Sequence, residues 1–282
     1  MKKQKYIYNT WYKKALRSIT LDVNWIFKYT LKYKWSFIFK KYLFILLPRM
    51  FWDHNSQSYK ITLCGRYIHM ETILDIGFIQ STLLDYTYLV SRIPLDATVI
   101  DIGAHIGEFA LFAESFLHPK TIYSFEPVLA SFALLQKNIP AAHAFHAAIC
   151  TTPSVTMHIP NHTCMSSGVV SSKSGHKEIS PGLFLDSIPE IQNEKYIDLI
   201  KIDVEGMEYD VLLASSETLK KTRYIMLEIS IDRTATKSAL HTITHLTSTI
   251  PSLSLIHIGT VFGDTLRTDS VDLLFDTHYS PR

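Results

Sequence analysis

Two glycines four residues apart, Gly103 and Gly107, stand directly behind an apolar β-type run that ends in an acid, Val99-Ile100-Asp101-Ile102. A helical pattern over residues 109–116 follows at once. Strand, glycine turn and helix in that order bring backbone N–H groups and the positive end of a helix to the carboxyl edge of a sheet, where nucleotide-like ligands bind. That connection sets the layout of the chain downstream.

The spacing of the glycines selects among ligands. A dinucleotide fold uses G-x-G-x-x-G, whose first two glycines stand two apart so that the backbone can touch a pyrophosphate. Here the pattern is D-x-G-x-x-x-G, from Asp101 through Gly103 to Gly107. It resembles the first motif of class I S-adenosylmethionine-dependent methyltransferases, in which the turn wraps the methionine part of a cofactor that has no pyrophosphate. A tight βα turn without a ligand is the bland reading of the same residues.

A chain of 282 residues, 47% apolar and 19% charged, can bury a full core, and one large domain with an extension suits that length. Its net charge of +2 hides an asymmetry. Residues 1–50 carry about twelve Lys or Arg against Asp22 alone, which leaves the remainder net acidic by about nine charges. Cys64, Cys150 and Cys164 are too few and too scattered for a disulfide framework or a metal knuckle, so a reducing compartment is expected. No uninterrupted apolar run approaches the roughly 20 residues that span a bilayer, and Trp11-Tyr12-Lys13-Lys14 breaks any secretory h-region. The expected location is cytoplasmic.

Residues 1–60 read as a basic, aromatic-rich helical extension, and residues 61–282 as the domain proper. In Trp25-Ile26-Phe27-Lys28-Tyr29 and again from Lys34 to Phe44, aromatics and lysines interleave. Such helices could lay Trp, Phe and Leu into a membrane interface while Lys reaches anionic head groups. They could equally pack their aromatics on the domain. No recognised nucleic-acid module is visible, so no nucleic-acid partner is expected. Residues 60–64 and 67–70 read as two short strands around Gly65, and 86–90 as helical.

Beyond the glycine turn the chain alternates. A strand over 121–125 ends in Glu126-Pro127, where a doubly wound fold presents a carboxylate to ribose hydroxyls. Pro127 leads into a helix over 129–138. Residues 144–149 read as the third strand, with the small Ala148 placed to admit an adenine. An inserted strand over 155–159 and a Ser- and Gly-rich loop over 166–175 lie next, where specificity is commonly carried. His158, His162 and Cys164 read as loop residues, since no second spaced pair accompanies them, and no metal is expected.

The second informative stretch is Ile197-Asp198-Leu199-Ile200-Lys201-Ile202-Asp203-Val204-Glu205-Gly206-Met207-Glu208. An apolar run fit for a strand buried on both faces carries a lysine and then delivers three carboxylates beside a helix start. Crowding them is costly unless something cationic or hydroxylic uses them. Helix capping accounts for Glu208. A strand over 224–231 near Glu228 and Asp232, a helix over 239–246, and an antiparallel pair over 253–258 and 271–275 complete the sheet.

Taken together, Asp101-Ile-Gly-Ala-His-Ile-Gly107, Phe125-Glu126-Pro127, Leu185-Asp186-Ser187-Ile188 and the Ile200-Lys201-Ile202-Asp203-Val204-Glu205-Gly206 block are similar to the FkbM family of S-adenosylmethionine-dependent methyltransferases, over residues 70–276. The resemblance implies a Rossmann-like α/β fold, doubly wound, with a mostly parallel seven-stranded sheet and one antiparallel strand near its edge. It implies O-methylation of a small-molecule, sugar or glycan hydroxyl with S-adenosyl-L-methionine as cofactor. Asp101, Gly103, Ala104, His105 and Gly107 would then line its methionine end. Glu126 would hold its ribose and Ala148 would lie near its base, while Asp203 and Glu205 would face the transfer site as catalytic residues. The family usually reads G-A-N where this chain has Gly103-Ala104-His105, and often has Thr where Ala110 stands. Two rivals remain: a silent cofactor-binding or membrane-attached scaffold of the same fold, and a nicotinamide-dependent oxidoreductase, against which the four-residue glycine spacing argues.

Overall fold

The computed structural model describes residues 34–63, 66–72, 75–159, 176–231, 238–264 and 267–280. Expectations for Cys64, Gly65, His162, Cys164, Asp232, residues 166–175 and the aromatic run at 25–29 lie outside them. The chain divides into two compact units between Thr87 and Tyr88, so the boundary expected near residue 60 falls inside the first unit.

In the first unit, helix α1 (Lys34–Leu46) precedes a three-stranded antiparallel sheet of β1 (Trp52–Asp53), β2 (Ser58–Leu63) and β3 (Arg66–Met70). The β2–β3 register places Ile61 opposite Ile68, and both are buried. Phe44, without any exposed surface, meets Phe51 and Tyr59 edge-on at 5.3 Å each. Helix α2 (Asp75–Asp85) starts where Asp75 accepts the backbone N–H groups of Glu71 and Thr72, so its carboxylate ties down the approach to the helix. The expected pair of strands over 60–64 and 67–70 is therefore present, with β1 added at its edge.

The second unit is built on a seven-stranded sheet. Its strands β4 (Thr98–Ile102) and β10 (Ile197–Ile202) are buried at every position, which only central strands covered on both faces can be. Around them lie β5 (Thr121–Phe125), β6 (His143–Phe145), β11 (Thr222–Ser230), β12 (Ser254–Asp264) and β13 (Arg267–Asp276), in the order β12-β13-β11-β10-β4-β5-β6. All neighbouring pairs are parallel except those of β13, which runs antiparallel to both β11 and β12. The strand order reverses between β4 and β10, and ligands bind at such a point, beyond the carboxyl ends of the strands.

Helices α3 (Glu108–Phe112), α4 (Leu129–Asn138), α5 (Pro189–Asn193), α6 (Glu208–Leu213), α7 (Ser216–Lys220) and α8 (Ala239–Thr249) complete the unit. One apolar cluster joins Ile100 and Ile102 of β4 to Ile200 and Ile202 of β10, Leu212 of α6 and Leu246 of α8. The Asp186 side chain caps α7, accepting the backbone N–H groups of Glu217 and Thr218 at 2.9 and 2.8 Å and the Thr218 hydroxyl at 2.6 Å. Part of the Leu185-Asp186-Ser187-Ile188 resemblance is thus a helix cap.

Three elements differ from expectation. The helix expected over 109–116 ends as a regular helix at Phe112 and widens into a π-turn, Ala113–Leu117, closed by His118 at φ 49°. The third strand, expected over 144–149, divides. Only β6 joins the large sheet, and after a kink at 146–147 the chain forms β7 (Ala148–Ile149), which pairs in parallel with β9 (His176–Leu183). The kink is held by the His146 ring, whose Nε2 bonds the Pro127 carbonyl at 2.9 Å. Strand β9 in turn pairs antiparallel with β8 (Ser154–Ile159), the inserted strand. Finally, the antiparallel pair expected over 253–258 and 271–275 is longer, because the β12–β13 ladder runs on to Asp264 and Arg267, with three register shifts along it.

Candidate functional site

The chain leaves β4 through Gly103 at φ +81°, a left-handed conformation that glycine adopts without strain. Geometry allows nothing larger there. A Cβ on Gly103 would stand 1.8 Å from the Asp203 carbonyl oxygen, so the loops after β4 and β10 touch backbone to backbone. The N–H groups of Gly103 and Ala104 both donate to the Phe125 carbonyl at 3.0 Å, which ties the turn to β5. Gly107, at φ +97°, starts α3, and a Cβ there would meet Ile139 at 2.9 Å.

Between the glycines, His105 also lies in the left-handed region, at φ 49°. Asparagine tolerates that conformation better than histidine does, so its occupancy by His105 needs local support. Two contacts give it. The His105 N–H donates to Glu126 Oε2 at 2.8 Å, and the ring Nδ1 lies 2.7 Å from Glu108 Oε1.

Glu126 therefore turns toward the glycine loop. Its other oxygen accepts the Val128 N–H at 2.8 Å. Burial pushes its carboxyl up to about 7, against the pull of His105 and of the two backbone N–H groups. The turn behind it is clamped from β9: the Ser180 hydroxyl donates to the Pro127 carbonyl, and Glu178 Oε1 accepts the Leu129 N–H at 2.8 Å. Ala148 joins the same neighbourhood, sharing an apolar cluster with Val128, Cys150 and Met157, against which Met207 packs.

At the end of β10 the charges concentrate. The parallel register sets Lys201 beside Asp101, and both are sealed from solvent. Lys201 Nζ donates to Asp203 Oδ2 at 2.9 Å and lies 3.6 Å from Asp101 Oδ1, so one ammonium stands between two carboxylates. Burial opposes its charge, but Asp203 and Asp101 outweigh burial and hold Lys201 well above the ordinary lysine value. Among the described residues neither Asp101 oxygen has a hydrogen-bond partner, and burial pushes that carboxyl up to about 6 even with Lys201 pulling it down. Asp101 thus stands behind the glycine loop, and Asp203 is the member of the chain that is partly open to solvent.

Glu205 sits at φ 49° in the loop after β10, the counterpart of His105 in the loop after β4. Such residues store about 1–3 kcal/mol of backbone strain and cluster at functional loops. Although Glu205 is exposed at the surface, enough protein surrounds its carboxyl that desolvation pushes it up to about 7, with Asp203 and Glu208 adding to the rise. Glu208 holds the loop in shape, since its Oε1 accepts the Gly206 N–H at 2.8 Å and the Ser230 hydroxyl at 2.7 Å. Among the described residues, no three His, Cys, Asp or Glu side chains converge as a metal site.

The structure thus brings Gly103, Ala104, His105, Gly107 and Glu126 into one loop-and-strand-end assembly, and Asp203 and Glu205 into the loop that touches it at Gly103. Sequence reasoning misses two participants. Lys201 reads there only as a lysine in an apolar run, because its contact with Asp101 depends on the β4–β10 register. Glu228, opposite Asp272 in the β11–β13 ladder, is bonded by the Ser270 hydroxyl. Burial first, then Asp203 and Asp272, raise it well above the usual carboxylate range.

A family model described as Methyltransferase FkbM domain matches residues 101–249. Methyltransferase 1 of Beauveria bassiana is 27% identical over 173 residues, which cover 52% of this chain and 70% of that protein. The AMB antimetabolite synthetase AmbE of Pseudomonas aeruginosa is 25% identical over 207 residues, which cover 58% of this chain but 9% of that much longer protein. Among solved structures, M. capricolum TrmK in complex with S-adenosyl-homocysteine aligns with a TM-score of 0.41 at 10% identity, over 68% of this chain and 66% of that one.

Proposed function

The chain belongs to the FkbM methyltransferase family, and from that premise we propose that it moves the methyl group of S-adenosylmethionine to a hydroxyl oxygen of a sugar, glycan or other small hydroxylated acceptor. The observation that carries the reading is the joined pair of loops: Gly103 and Asp203 meet backbone to backbone, so a cofactor seated on the first loop lies beside the acids of the second.

The residues present fit the cofactor. Each Glu126 oxygen takes one backbone N–H, which leaves lone pairs for two ribose hydroxyls. The glycines keep side chains off the loop wall, and the acid-rich end of β10 suits a cation. When bound, S-adenosylmethionine supplies an electrophilic methyl on a sulfonium, already a good leaving group. What the protein must add is alignment and the removal of one proton. The ion pair with Lys201 at 2.9 Å and the partial exposure of Asp203 support it as the group that takes the acceptor hydroxyl's proton, with Glu205 the second candidate for that role. The reading puts the enzyme in the cytoplasm.

Calorimetry separates this reading from its rivals. S-adenosylhomocysteine is expected to bind and NAD to give no heat, whereas NAD binding alone would restore the oxidoreductase. Heat from neither would leave a scaffold of the same fold. In a labelled-methyl screen over glycans and hydroxylated metabolites, Asp203→Asn is expected to lower turnover on the order of 100-fold while S-adenosylhomocysteine still binds, the size of effect that removing a general base gives. Full turnover in that variant would move the proton-accepting role away from Asp203.

A further inference from the structure

We infer that the exposed apolar face of α1 and the turn after it form a docking surface for an anionic lipid bilayer. Phe39, Ile45 and Leu46, with Tyr42 among them, lie at offsets of 0, 6, 7 and 3 residues, which the 3.6-residue period gathers into about a third of the helix circumference. Phe39 is 68% exposed and Leu46 74%. The surface continues past the helix through Leu47 and Met50, the latter 69% exposed. The other side of α1 is already spoken for: Phe44 is fully buried against Phe51 and Tyr59, and Lys41 Nζ donates to Gln80 Oε1 at 2.7 Å.

Charge names the occupant. Residues 1–50 hold about twelve Lys or Arg and one acid, Asp22, while the rest of the chain is net acidic. Arg49 stands exposed between Leu47 and Met50, and Lys40 follows Phe39. A partner covering this face must accept bulky apolar groups beside Arg49 and Lys40, on a chain whose first 50 residues are strongly basic. An acyl-chain boundary under anionic head groups does both, each basic residue near such a surface strengthening binding roughly fivefold. Among the described residues no helix is long and apolar enough to cross a membrane, and the contact inferred here is a peripheral one. The inference needs nothing from the methyl-transfer reading and adds where that chemistry takes place.

Flotation of the full chain with phosphatidylcholine vesicles, with and without 30 mol% phosphatidylglycerol (about one lipid in three), tests it. Recovery in the floating fraction with the anionic vesicles only, falling with added salt, is expected. The surface variants Phe39→Glu and Leu46→Glu together are expected to cut the partition coefficient at least about tenfold. Their fold is checked by an unchanged thermal transition, and a variant pair that unfolds is replaced by Met50→Glu alone. Absence of flotation overturns the inference. So does flotation that the variants leave unchanged. A concentration-dependent dimer that the same substitutions dissolve, without vesicle binding, assigns the face to a second copy of the chain and equally overturns it.

Discussion

Replacing Gly103 by alanine is expected to abolish S-adenosylhomocysteine binding and to lower stability by about 3–5 kcal/mol, the sum of positive-φ strain and overpacking against backbone. The new Cβ would stand 1.8 Å from the Asp203 carbonyl oxygen and 2.9 Å from its carbon. Neither side can give way cheaply. The Asp203 N–H is held by the Ile102 carbonyl at 3.0 Å, and the Gly103 N–H by the Phe125 carbonyl at 3.0 Å, so moving one loop breaks the attachment of both to the central strands. Gly77 supplies the contrast. Inside α2, with nothing within 4 Å of its added Cβ, Gly77→Ala is expected to raise stability by about 0.5–1 kcal/mol. Gly107→Ala should fall between, because the atoms in its way are side-chain carbons of Leu135 and Ile139 that can shift. Calorimetry beside chemical denaturation reads all three. A Gly103→Ala protein with undiminished affinity would show that the two loops are not interlocked.

The same interlock explains what sequence reasoning reaches. Strands β4 and β5 and helix α4 follow from local pattern alone, since their apolar runs end at an acid, a glycine or a proline that each has a local reason to stop them. The antiparallel β12–β13 pair follows from the short connection. The third strand does not, because its break at 146–147 depends on the His146 contact with Pro127 and on pairing with β9, some 35 residues later. The role of Glu126 is legible at the level of position, as an acid at a strand end. Its grip on the His105 and Val128 N–H groups is not, for a carboxylate's partners are set by how the neighbouring loop closes. Lys201 and Glu228 mark the limit most clearly. Each acquires its meaning from residues across a ladder, Asp101 at the β4–β10 register and Asp272 at the β11–β13 register, and a shift of one residue would face each toward the opposite side of the sheet.

Lys201→Met is the substitution that should expose this charge chain. Methionine nearly matches the lysine in volume, so packing changes little, yet Asp101 is left buried with no cation beside it. Stranding one partner of a buried ion pair costs about 3–5 kcal/mol. The loss should depend on pH. With Lys201 present, the Asp101 carboxyl already lies at about 6, above its ordinary value of 3.8, because burial outweighs the lysine. Removing the cation raises it further, with Asp203 and Glu108 pushing the same way. A carboxyl raised in the folded state is protonated there while the unfolded chain is already ionised. Stability is therefore fully retained below about pH 4, near the unfolded value, and drains away as the pH climbs through the folded one. Denaturation midpoints for Lys201→Met should accordingly approach those of the unaltered protein at pH 4 and fall well below them at pH 8. Adding Asp101→Asn to Lys201→Met removes the stranded charge and should restore most of the difference at pH 8. Equal deficits at both pH values, or no recovery in the double variant, would mean that Lys201 contributes through packing of its stem and not through the carboxylates on either side of it.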